Sequence, residues 1–152
     1  RDLFLPLYGE HQAHNAAVAI AAVESFLGDG TQRLADDVVA EGLATVTSPG
    51  RLQLIGIEPS VLVDAAHNPH GAQALARALL SSFAFDSITA IVGVLADKDD
   101  RGIIEALDPV VDRFVVSRSD SARAIDASTL AETVDAIAGP DRVRVEPDLA
   151  VA

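Results

Sequence analysis

The sequence predicts an α/β fold, a mostly parallel sheet with helices on both faces. Two observations carry that expectation. From residue 60 onward, short apolar runs rich in valine and isoleucine alternate with segments of helical periodicity, the pattern of parallel crossover units. The 152 residues are 49% apolar and 22% charged, enough to bury one substantial core and unlike a disordered tail.

The elements follow in order. Residues 3–8 read as a short strand, with Pro6 favouring an edge or an end. Residues 10–27 form a helix whose part at 16–23 is apolar all round, so burial on several sides is expected. Gly28-Asp29-Gly30 stops it. Thr31 is expected to cap a second helix running to about residue 45, with Leu34, Val38, Val39 and Leu43 on one face. Ser48-Pro49-Gly50 marks a turn, and residues 53–57 and 60–63 are strands joined at Glu58-Pro59. Asn68 as cap and Pro69 in the first turn open a helix that ends near Ser82. Then come a buried strand at 88–94, a short helix at 102–107, a strand at 113–117, a helix at 128–138 and a strand at 142–145. Residues 146–152 read as the start of another helix that does not continue, so the sequence is expected to be a piece cut short.

Charge and composition exclude several classes. The net charge is −12, Lys98 is the only lysine, and no basic stripe offsets the acidic balance; nucleic acid is not expected as a partner. The absence of cysteine removes disulfide scaffolds, thiolate metal sites and cysteine nucleophiles. No apolar run approaches the roughly 18 residues that span a bilayer, and the amino end has no signal-peptide pattern. A cytoplasmic protein is expected, without a membrane partner.

In an open parallel sheet, ligands bind beyond the carboxyl ends of the strands. Three such ends are the most polar stretches here: 64–71, 96–101 and 117–123. The first delivers Asp64 and His67 just before a helix whose free N–H groups favour an anion. Asn68 as a simple cap and Asp64 as an acceptor of loop amides is the other reading. Arg51 can reach a ligand from a tight turn or simply face solvent. Lys98 among Asp97, Asp99 and Asp100 is either a site or a solvated ion-pair cluster, and Arg118 and Arg123 stand likewise. His11 with His14 and His67 with His70 have helical spacing, but no H-E-x-x-H pattern accompanies them and no metal site is expected. The chain contains no G-x-x-x-x-G-K-[ST] phosphate loop, no G-x-G-x-x-G fingerprint and no G-x-S-x-G elbow.

Four motifs add a resemblance. Leu7 to Asn15, LYGEHQAHN, is similar to the L-x-G-x-H-Q-x-x-N segment that closes the ATPase domain of folylpolyglutamate and dihydrofolate synthases. Pro49-Gly50-Arg51 resembles their P-G-R turn, Asp64 to Pro69 their D-x-A-H-N-P motif, and Gly93 to Asp99 their G-x-x-x-D-K-D loop. The order is right and the stretch covered is 7–99; beyond it the likeness is architectural. The resemblance implies a Rossmann-like sheet of the Mur ligase carboxyl-terminal type at 47–152, and the end of a central ATPase domain with its connection at 1–46.

It also implies a fragment of a magnesium- and ATP-dependent ligase that joins L-glutamate to a folate or dihydropteroate through an acyl phosphate. Asn15 would contact the adenine, Arg51 and Asp64 the phosphate and ribose side of ATP, and His67 the same cleft, with Asp64 and His67 as the catalytic pair. Asp97, Lys98, Arg118 and Arg123 would help place the glutamate. The phosphate loop and magnesium ligands would belong to an upstream ATPase domain of roughly 300 residues, so this chain alone is expected to be inactive. A murein or cyanophycin ligase, a non-catalytic α/β module binding a phosphorylated ligand, and a small histidine metalloenzyme are the alternatives.

Overall fold

The computed structural model describes residues 3–28, 30–149 and 151–152. Two compact units compose it, residues 1–65 and 66–152.

In the first unit, α1 (Glu10–Gly28) and α2 (Asp36–Ala44) precede a hairpin of β1 (Gln53–Ile57) and β2 (Ser60–Val63). The expected strand at 3–8 does not form: residues 3–6 are irregular and 7–9 are bends. No described strand pairs with this segment, and Pro6 lacks the N–H that a ladder requires. The expected burial of α1 fails as well. Only Gln12 is buried in it, while Val18 is 69% and Phe26 88% exposed, because no described element covers that surface.

Thr31 does not cap α2. Its hydroxyl and its N–H both donate to Gly28 O, each at 2.9 Å, closing the turn after α1. Glu24 then accepts from Leu34 N–H at 2.9 Å, so 31–35 serve as connection. The helix α2 starts after Ala35 without a side-chain cap, with Asp36 and Asp37 in its first turn facing the positive end of the dipole. Asp29 of the expected helix stop lies outside the described residues, as do Arg1 and, in the expected last helix, Ala150.

The hairpin pairs Leu54 with Leu62 and Ile57 with Ser60, antiparallel, around a cis Glu58–Pro59 peptide. These two strands form a sheet of their own. The expectation that all three polar stretches follow strands of one parallel sheet is therefore corrected: β2 pairs with β1, and the parallel sheet contains none of its residues.

The second unit alternates as the sequence implies: α3 (Pro69–Ser82), β3 (Thr89–Val92), α4 (Asp100–Leu107), β4 (Arg113–Arg118), α5 (Ala127–Ala138) and β5 (Val143–Asp148). The strands are parallel in the order β3-β4-β5. Both α4 and α5 pack on one face of this sheet. There Phe114 and Val116 of β4 pack with Ala72, Ile104, Leu130 and Val134 in a core closed to solvent. On the other face Ile91 is 52% exposed.

Strand β5 extends through Asp148, opposite Arg118, where residues 146–148 were expected to begin a helix; pairing with β4 outweighs the weak helical pattern. Only after it do Val151 and Ala152 donate to Asp148 O.

Arg142 staples this unit. It pairs with Asp108 at 2.8 Å, donates to the carbonyls of Asp108, Val111 and Asp112, and lies 5.9 Å over the Phe114 ring. A cation at the Asp108 carbonyl, the C-cap of α4, offsets the negative end of that helix.

Candidate functional site

A polar network of the first unit surrounds Arg51. Arg51 N–H donates to Ser48 O at 3.1 Å and Gly50 N–H to Gln53 Oε1 at 2.9 Å, closing a turn in which Gly50 has φ +70°. The next residue but one, Leu52, has φ +45° and is 1% exposed. A left-handed leucine costs about 1–2 kcal/mol, so something must hold it. The Asp64 carboxylate accepts from Leu52 N–H at 2.7 Å, and Ala65 N–H donates to Gly50 O at 2.8 Å.

The exposed Arg51 guanidinium donates once, from Nη1 to Ala65 O at 3.3 Å, which leaves its outer N–H groups for a ligand. Arg51 and Tyr8 also line an open recess of about 520 Å³, with Leu52 and the 44–49 segment. Asn15 is not part of that lining. Its amide donates to Gln12 Oε1 at 3.1 Å, on the buried side chain one turn earlier.

In the second unit, Asn68 caps α3 by accepting from Gly71 N–H at 2.8 Å, and His67 before it is exposed. Asp99 caps α4 in the same way, accepting from Gly102 N–H at 2.9 Å. The amino ends of the two helices meet: a Cβ added at Gly102 would lie 2.6 Å from Pro69 Cγ and 2.6 Å from Asp99 Oδ2.

Beyond β3 and β4, Asp97 receives Lys98 Nζ at 3.0 Å and lies 3.7 Å from Arg123 Nη1. The backbone closes the same junction, with Ala96 N–H donating to Arg123 O at 2.7 Å. The Asp97 carboxyl is held below the usual carboxylate range, first by the Lys98 hydrogen bond, then by its own backbone N–H and the charges of Lys98 and Arg123. Arg118 stands apart, paired with Asp126 at 3.1 Å.

Two clusters thus form: Arg51 with Asp64, and Asp97 with Lys98 and Arg123. Leu52 escaped the sequence reading, since a leucine gives no compositional sign of left-handed backbone. Ser117 was read only as part of the polar stretch at 117–123, whereas its hydroxyl is buried at the tip of β4 without a partner among the described residues. The described residues contain no group of three or more His, Asp or Glu placed to hold a metal ion, and no helix long and apolar enough to cross a membrane.

Comparison with known proteins gives these clusters a context. Residues 50–152 match the family described as Mur ligase, glutamate ligase domain. The dihydrofolate synthase/folylpolyglutamate synthase of Mycobacterium tuberculosis is 51% identical over 149 residues, 97% of this chain and 31% of that protein. The solved folylpolyglutamate synthase of M. tuberculosis complexed with ADP superposes with a TM-score of 0.94 at 49% identity, over 98% of this chain and 33% of that one. E. coli FolC in complex with DHPP and ADP gives 0.82 at 28% identity, over 99% and 33%. The chain spans about a third of the length of these relatives. Through residues 50–152, the chain belongs to the Mur ligase family and carries its glutamate ligase domain.

Proposed function

We propose that this chain is part of an ATP-dependent carboxylate–amine ligase that adds L-glutamate to folates, to dihydropteroate, or to both. The observation that supports it best is the clamped turn at 50–52, which presents an arginine with free N–H groups beside an open recess. An exposed, pre-positioned guanidinium suits the bidentate recognition of phosphate. Relatives solved with ADP favour a nucleotide as the source of that phosphate.

Bound ATP would supply the phosphoryl group that converts the acceptor carboxylate into an acyl phosphate, which the amino group of glutamate attacks with release of phosphate. In this reading Arg51 neutralises phosphate charge, which is the main demand of phosphoryl transfer. Asp64 and His67 act as the catalytic pair, Asp64 meeting the ribose side, and Asn15 reaches the adenine by releasing Gln12. Lys98 and Arg123, with Arg118, receive the carboxylates of glutamate, and Asp97 orients the first two. Among the described residues no three carboxylates or imidazoles gather to hold a metal ion, and in this reading the magnesium ligands belong to the ATPase domain of the ligase. Residues 1–46 belong with the central ATPase domain and 47–152 with the ligase domain, in a cytoplasmic enzyme.

The test is an assay of the full-length enzyme with ATP, glutamate and either dihydropteroate or a reduced folate. ADP release coupled one-to-one to glutamate incorporation, and dependent on the acceptor carboxylate, is the expected result. Nucleotide binding without any ligation would favour the non-catalytic module.

A further inference from the structure

The turn that bears Arg51 contains a conformation its own sequence does not favour. Leu52 is left-handed at φ +45°, and a γ-branched side chain has none of the ease of glycine there. Its side chain is sealed at 1% exposure, so the backbone cannot rotate out without withdrawing the leucine from its packing. The N–H freed by this geometry is met by Asp64 Oδ2 at 2.7 Å, a charge-assisted bond of the short, strong kind. Beside it Ala65 N–H binds Gly50 O at 2.8 Å, and Arg51 Nη1 returns to Ala65 O at 3.3 Å. Residues 64 and 65 therefore grip 50, 51 and 52 in turn, across the interval spanned by the hairpin.

We infer that Asp64 is a positioning residue: its carboxylate locks Leu52 in the left-handed conformation and thereby fixes the direction of the Arg51 side chain. Strained backbone persists where its surroundings over-determine it, and such places cluster at functional sites. The role is separate from contact between Asp64 and a ligand, since it exists in the ligand-free chain. Its kinetic consequence rests on the nucleotide reading given above; its structural consequence does not.

Both are tested in the full-length enzyme with Asp64→Ala, Asp64→Asn and Arg51→Ala. In nucleotide-free protein, residue-resolved hydrogen exchange at Leu52 N–H should accelerate about tenfold or more in Asp64→Ala. Asp64→Asn, which keeps an acceptor oxygen at the same reach, should restore most of the protection, and the amides of β4 should be unchanged in both. Where Asp64→Ala fails to fold, Asp64→Glu displaces the acceptor and should show the same acceleration.

Kinetically, Asp64→Ala should raise the KM for ATP about tenfold in the wild-type background and clearly less in Arg51→Ala, because the positioning part of its effect passes through the guanidinium while its own ribose contact does not. Equal exchange at Leu52 in Asp64→Ala and wild type overturns the inference. So do fully additive KM effects, which would leave Asp64 only its own contact with the nucleotide and no action through Arg51. If no variant alters ATP kinetics but Leu52 exchange responds as expected, the positioning stands and the nucleotide reading is what fails.

Discussion

The turn at 50–52 and the ion-pair cluster at 97–123 both present cations to solvent, yet they are held in opposite ways. Around Arg51 the fixing bonds run to backbone N–H groups, and the sealed side chain of Leu52 anchors them. Around Lys98 the bonds run between side chains that are a third to two-thirds exposed. The first arrangement is rigid before any ligand arrives. The second is adaptable, since water and a ligand carboxylate compete for the same cations. In the proposed reading, a rigid contact would serve the phosphate of one ATP and a pliant one the carboxylates of one glutamate in each cycle.

The largest effect concerns what both regions lack. The 152-residue chain contains no phosphate loop, so it should show no ATP-dependent glutamate incorporation above the no-enzyme control, while the full-length enzyme turns over. Ligation by the isolated chain would remove the division of labour on which the comparison depends.

Next in size is Gly102→Ala. The added methyl would enter a space where Pro69 Cγ and Asp99 Oδ2 lie at 2.6 Å, forcing α3 and α4 apart at a cost of about 1–3 kcal/mol. Urea denaturation should show it. The Leu52 amide, in the other unit, should keep its exchange rate. Arg142→Ala removes the staple on the carbonyls that follow α4 and should cost about 1–2 kcal/mol, since several of its bonds are charge-assisted but partly exposed.

The smallest effects belong to the exposed cluster. Lys98→Ala and Arg123→Ala should leave thermal stability within experimental scatter. Their influence on glutamate KM should shrink as salt is raised, unlike that of the clamped turn. Because the folded Asp97 carboxyl titrates below its unfolded value, its pairing is complete above the usual carboxylate range and is lost only as pH falls through the lower folded value. Carbon-detected NMR of Asp97 should show that order; a normal or raised midpoint would mean the cluster is not formed.

The sequence revealed the second unit far better than the first. Asn68-Pro69 announces α3 because cap and first-turn chemistry are local, and the structure begins the helix there. The strands at 113–118 and 143–148 were legible from apolar runs, though β5 extends further because pairing with Arg118 is a tertiary fact. Residues 3–8 look like a strand but pair with no described strand, and α1 looks buried but is left largely exposed by the described elements. Both failures share a cause: periodicity records what a segment would bury, not whether the burying surface lies within the chain. The site divides similarly. Arg51, Asp64 and Lys98 were legible as residue types at strand tips and turns, whereas the left-handed Leu52 and the bond that holds it are matters of backbone geometry alone.

The most direct test of the two-region account is a KM split in the full-length enzyme, comparing Arg51→Ala with Lys98→Ala at saturating acceptor. The account predicts that Arg51→Ala lowers kcat/KM for ATP by about a hundredfold while sparing the KM for glutamate, and that Lys98→Ala does the reverse, raising glutamate KM and sparing ATP. Unchanged ATP kinetics in Arg51→Ala, or equal effects of both variants on both substrates, would contradict it.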